Sequence, residues 1–211
     1  MSRIVTTSSI DGFFHEAVEQ AIKARQVEIT GGAREYVVSL LGEYAKPDSR
    51  AEETLDKSVT LLLNDALHTM DLGERFERLR AVGDGVLYGM GFFGQHFEAR
   101  GVAPSYLIGV GSRAYGTARS LISGGSSATL DETNPSDVFL ELARKFSAFV
   151  EILTEVADSW LAHGASTHKG LLKVYERWCK TGSGSLESAL RTHGFVPGNV
   201  GGGGTPSGSL S

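Results

Sequence analysis

The stretch Gly83-Asp-Gly-Val-Leu-Tyr-Gly-Met-Gly-Phe-Phe-Gly94 constrains this chain more than any other feature. It lies within a segment of helical period, where Leu79, Val82, Val86, Met90, Phe93 and Phe97 recur at steps of three and four. Each interior glycine costs a helix roughly 1 kcal/mol relative to alanine. Gly85, Gly89, Gly91 and Gly94 together therefore require close approach of another helix or of a ligand to the backbone. Leu87, Tyr88 and Phe92 fall off the main stripe, and a helix apolar on so many sides is a buried one. The expectation is one continuous enclosed helix over about 74–99, central to the fold.

The same helical spacing recurs along most of the chain, and strict alternation is rare. Phe14, Ala17, Val18, Ala21 and Ile22 line a first helix over about 11–26. A second starts near Thr30 and ends at Lys46-Pro47, because the residue before proline avoids helical geometry. Ser49-Arg-Ala-Glu52 has capping-box spacing and opens a third helix reaching Met70. Asp71-Leu-Gly-Glu74 is a similar start for the glycine-rich helix. Pro104 opens the next, with Leu107, Val110, Ala114, Ala118 and Leu121 on one face. The Ser/Gly/Thr-rich stretch 123–133 is a loop, and Asn134-Pro135 begins a long regular helix to Trp160. That helix buries its stripe either inside a bundle or in a homodimer. The pattern predicts an all-α, irregular helical bundle of about seven helices, with the bundle domain over residues 1–163. A C-terminal helical hairpin follows over 164–196, then a flexible Gly/Ser-rich tail over 197–211.

The 211 residues include 41% hydrophobic and 21% charged, a balance that supports a folded core. No apolar run approaches the ~20 residues a bilayer demands, so no membrane role is expected. The start Met-Ser-Arg-Ile-Val-Thr-Thr-Ser-Ser lacks the basic and apolar regions of a secretion signal. With one cysteine, Cys179, no internal disulfide forms, and the expected location is cytoplasmic. Lys169, Lys173, Arg177, Lys180 and Arg191 face only Glu176 and Glu187 beyond residue 160. That end is +3, and because the whole chain is −5, residues 1–160 hold −8. The asymmetry reads either as ordinary solvated surface or as a basic hairpin docking on an acidic partner.

Catalytic and cofactor patterns are scarce. Gly89-Met-Gly-Phe-Phe-Gly94 spells the dinucleotide fingerprint, but both flanks have helical period and no acid follows at the required distance. Asp65-x-x-His68 is a single carboxylate–histidine pair where a di-iron bundle needs two pairs plus two further glutamates. No metal ligand set and no cofactor are assigned. The hairpin has the outline of a helix-turn-helix, yet its basic residues sit on the first helix rather than on the second, which makes nucleic acid an unfavoured partner. Asp84, Tyr88, Arg113 and Tyr115 gather polar groups within or beside the glycine-rich helices. An Asp84–Arg113 pair among tyrosines is either a structural network or a small-molecule pocket, in which Arg113 holds an anionic ligand. Gly109 and Gly116 are expected to offer a smooth patch to Gly85 and Gly89.

Several blocks also resemble an uncharacterised all-helical bacterial protein family. They are Glu35-Tyr-Val-Val-Ser-Leu-Leu-Gly-Glu-Tyr-Ala45, then Leu79-Arg-Ala-Val-Gly-Asp84 with Gly91-Phe-Phe93. Tyr106-x-x-Gly109 with Ala114-Tyr115 follows, and last Phe139, Leu142 and Phe146. The resemblance spans roughly 11–160 and implies a helical fold without any assigned activity. The function expected from all this is a non-enzymatic cytoplasmic binding or regulatory protein acting through protein–protein contacts. Lys169, Lys173, Arg177 and Lys180 form its candidate partner-binding surface. The alternatives are a ligand-binding or enzymatic bundle around Asp84, and DNA binding by the hairpin.

Overall fold

The computed structural model describes residues 4–46, 57–122, 135–165 and 167–195. Within them the protein is all-α, with nine helices and no strand. They are α1 (Ile4–Arg25), α2 (Gly31–Tyr44), α3 (Val59–His68), α4 (Leu72–Ala99), α5 (Pro104–Ile122), α6 (Pro135–Arg144), α7 (Phe146–Gly164), α8 (His168–Thr181) and α9 (Gly184–Thr192). The Ser49–Glu52 box, the 123–133 loop and the tail from Pro197 lie outside the described residues.

Local chemistry explains where these helices begin and end. Thr30 caps α2 by accepting from the Ala33 amide at 3.3 Å, and Asp71 caps α4 by accepting from Glu74 at 2.7 Å. Thr167 does the same for α8 through Gly170 at 3.1 Å. Gly182, at φ +62°, ends α8 in the left-handed conformation, and its amide donates to the Trp178 carbonyl at 2.8 Å. Two expectations are corrected. α1 starts seven residues ahead of position 11, because Ile4–Ile10 is rich in Ser and Thr and hides its helix behind a weak apolar period. The long helix over 135–160 divides at Lys145, which helps raise the count above seven. Lys145 donates from Nζ to the Glu28 carbonyl at 2.7 Å and to Glu141 at 2.9 Å, and so ties this corner to the loop before α2.

The chain forms two compact units, Met1–Ala157 and Asp158–Ser211. In the first, α4 packs along α5, α5 along α6, and α2 against both α1 and α6. Its core draws Phe14, Val37, Leu41, Leu79, Val86, Leu107, Tyr115, Phe146, Phe149 and Leu153 from five helices. Glu141, 2% exposed, bolts α6 to the start of α2: its carboxylate accepts from Thr30 N at 3.2 Å and from Thr30 Oγ1 at 2.6 Å. Arg25 Nη2 meets the buried Glu155 at 2.9 Å and ties α1 to α7. The second unit closes on a core of Ala165, Leu171, Val174, Trp178, Leu186 and Leu190.

α4 buries Gly83, Gly85, Gly89 and Gly91. A Cβ on Gly83 would stand 2.6 Å from the Tyr115 ring, and one on Gly91 would overlap the Leu153 side chain and lie 3.2 Å from its carbonyl carbon. Of the four glycines expected to admit a neighbour, Gly91 does so, whereas Gly94 has nothing within 4 Å of an added Cβ; the other close approach falls at Gly83, outside that set. The run is not one straight rod, however. Phe93 leaves helical geometry at φ −126° and ψ 26°, and α4 kinks there, between Gly91 and Gly94. The proposed smooth patch on α5 is also corrected: at Gly109 an added Cβ meets nothing within 4 Å, and at Gly116 the nearest atom is Ala143 Cβ at 3.8 Å.

Candidate functional site

The strongest polar cluster is built on Asp84, a carboxylate 5% exposed in the middle of α4. Its Oδ1 accepts from the Tyr36 hydroxyl of α2 at 2.5 Å and from the Tyr115 hydroxyl of α5 at 2.8 Å. The absent Gly83 side chain is what lets the Tyr115 ring lie against α4. Tyr36 meets Tyr115 and Phe139 edge-on, at centroid separations of 6.3 and 5.5 Å, and Phe139 sits 5.8 Å from Tyr115. Aromatic faces therefore replace water around the acid.

That setting governs the protonation of the cluster. Burial pushes the Asp84 carboxyl up to about 6, against the downward pull of the two tyrosine hydrogen bonds and of the Arg80 charge. Tyr36 and Tyr115 are pushed well above the usual tyrosine range, first by burial and then by the adjacent carboxylate. Tyr44 moves the same way for the same two reasons. For Arg80 burial lowers the pKa, but Asp84, Tyr36, Glu77 and Glu43 together outweigh it and the net shift is upward. All these hydroxyls therefore stay protonated donors at neutral pH.

The four residues singled out for a ligand pocket are placed unequally. Asp84 and Tyr115 meet directly. Tyr88 is half-buried and looks elsewhere, stacked at 4.7 Å on Phe92 and packed at 4.5 Å on Tyr44. Arg113 is exposed and makes no bond to Asp84. In place of the Asp84–Arg113 pair, Tyr36 and Tyr115 donate to the carboxylate and the Arg80 charge acts on it. The sequence carried signals for the residues that were missed. Arg80 stands four residues before Asp84 on one helix, and Tyr36, Leu40 and Tyr44 share a face of α2. A cavity of about 570 Å³ opens beside α3 and α4, walled by Tyr44, Leu62, Asp65, Glu77, Arg78 and others. None of Asp84, Tyr88, Arg113 or Tyr115 lines it. Its Arg78 is already paired with Glu74 at 2.7 Å.

The second candidate surface is the outer face of α8. Leu171, Val174 and Trp178 point into the second unit's core. On the opposite side Lys169, Lys173 and Lys180 are exposed. Leu172 and Tyr175, 57% and 44% exposed, run beside them with Cys179, so one helix shows three lysines, with the exposed Glu176 among them, next to an apolar stripe. Arg177 is not part of that face. It turns inward and binds the fully buried Asp158 through Nε. Asp158 Oδ2 and Trp178 Nε1 are buried with no hydrogen-bond partner among the described residues.

Among the described residues no group of three or more His, Cys, Asp or Glu side chains is arranged to hold a metal ion, and no helix is long and apolar enough to cross a membrane. Compared with known proteins, the chain matches no family model, no curated protein and no solved structure.

Proposed function

We propose that this protein is a non-enzymatic, cytoplasmic binding or regulatory protein that acts through protein contacts, with the outer face of α8 docking an acidic, amphipathic segment of a partner. One observation carries the reading: α8 spends one face on its own core and keeps Leu172 and Tyr175 in water beside Lys169, Lys173 and Lys180. Exposed apolar side chains supply contact area, and a rim of like charge supplies steering and selectivity. The net −8 of residues 1–160 leaves this positive end as a local exception, which favours an acidic partner. In this reading the glycine-rich α4 is the central strut of an irregular bundle that serves as scaffold, supported by the burial of Gly83, Gly85, Gly89 and Gly91.

The pocket reading has less support, because Arg113 stands apart from Asp84 and the cavity beside α3 excludes all four of its residues. DNA binding is disfavoured by the placement of the lysines on α8 and by the single arginine on α9. The test is affinity capture from native cell extract with wild-type chain and with a K169E/K173E/K180E variant, followed by mass spectrometry. The expected result is a partner set whose recovery falls about tenfold or more on charge reversal and also falls with added salt. Partners retained equally by both chains would sink the proposal.

A further inference from the structure

The Asp84 cluster is more than a packing detail, because it joins three helices through one ionisable group. Tyr36 reaches it from α2 and Tyr115 from α5, while Asp84 itself stands on α4. We infer that Asp84 is a proton-operated joint: both tyrosine bonds persist in either state, while uptake of a proton by the buried carboxylate stabilises the junction of α2, α4 and α5 and its loss destabilises it.

From α2 the Asp84 carboxylate is faced by the hydroxyls of Tyr36 and Tyr44 and by the acid Glu43; from α4 by Arg80; from α5 by Tyr115; and α6 contributes the Phe139 ring against both tyrosines. Among the described residues Arg80 is the cation that acts on it, and its guanidinium is engaged with Glu77 at 3.2 Å. Two neutral donors and a shared cation do not replace the water that a carboxylate loses when buried, and burial is the largest influence on this group. The neutral acid form carries a much smaller desolvation penalty. Its carbonyl oxygen has two lone pairs, enough for both tyrosine hydroxyls.

The folded-state value of about 6 lies above the ordinary 3.8, so the folded chain binds this proton more tightly than the unfolded chain does. The stabilisation is complete below the unfolded value and is lost as pH rises through 6. Two pK units correspond to about 100-fold in the folding equilibrium, of which on the order of 30-fold falls between pH 4.5 and pH 8.

The experiment uses the full chain labelled with ¹³C at aspartate. The Asp84 carboxyl resonance is followed against pH. Urea unfolding and amide exchange are measured in parallel for wild type and Asp84→Asn. We expect a carboxyl midpoint near pH 6. We also expect a wild-type folding constant that drops on the order of 30-fold relative to the variant between pH 4.5 and 8. Exchange in α2 and α4, corrected for intrinsic rates, should quicken above pH 6 in wild type alone. A midpoint at or below 4.5 overturns the inference, as do parallel stability curves for the two chains. Should the variant fail to fold, the wild-type resonance still decides.

Discussion

At the scale of single residues, the glycines separate into those that a neighbour uses and those that none does. Gly91 is closed by Leu153, whose backbone cannot be rotated away as a side-chain end can, so Gly91→Ala forces helices apart. The expected cost is about 1–3 kcal/mol by chemical denaturation, outweighing the ~1 kcal/mol that alanine gains in helix propensity. Gly109→Ala meets open space and should instead stabilise α5 by about 0.5–1 kcal/mol. A Gly91 variant as stable as wild type would show that the helices slide past each other freely. This distinction was only half visible in the sequence. The glycine run announced close contact somewhere, but the partners Tyr115 and Leu153 lie 32 and 62 positions away from Gly83 and Gly91, and no local pattern encodes that pairing. The clustering of Asp84 with Tyr115 was legible because buried polar groups seek partners. Assigning Arg113 failed because a helix turns about 100° per residue: Tyr115 at 115 faces inward, and Arg113 faces water.

At the scale of elements, helix identity was the easiest quantity to read. The caps at Thr30 and Asp71 each supply the bond expected of them. The break at Lys145 was hidden because it leaves the local bonding nearly helical: Lys145 N still reaches Glu141 O at 2.8 Å. In α8 the arginine and the lysines of one basic run divide their labour, which composition alone cannot reveal. Arg177→Ala would strand the Asp158 carboxylate, fully buried and with one oxygen already partnerless, at a cost of about 3 kcal/mol or more. Reversal of Lys169, Lys173 and Lys180 should leave stability within about 0.5 kcal/mol, because these side chains are solvated. Thermal denaturation of the two variants side by side measures both. Equal losses would mean that the lysines also hold the hairpin.

At the scale of the whole molecule, two cores occupy one chain, and the probes are divided between them. Both tryptophans, Trp160 and Trp178, belong to residues 158–211, whereas the cluster of Asp84, Tyr36 and Tyr115 belongs to residues 1–157. Tryptophan emission therefore reports the smaller unit, and far-UV circular dichroism is weighted to the larger. In a urea titration Arg177→Ala should shift the emission midpoint to lower denaturant, and Gly91→Ala should shift the dichroism midpoint. Identical displacement of both signals by either substitution would show that the units unfold as one. The oxygen geometry at Asp84 adds a consequence for the larger unit. Both hydroxyls converge on the same atom, Oδ1, which leaves the second carboxyl oxygen as the seat for hydrogen. Charging and discharging can therefore cycle without either tyrosine letting go, like a latch whose tension is adjusted while it stays shut.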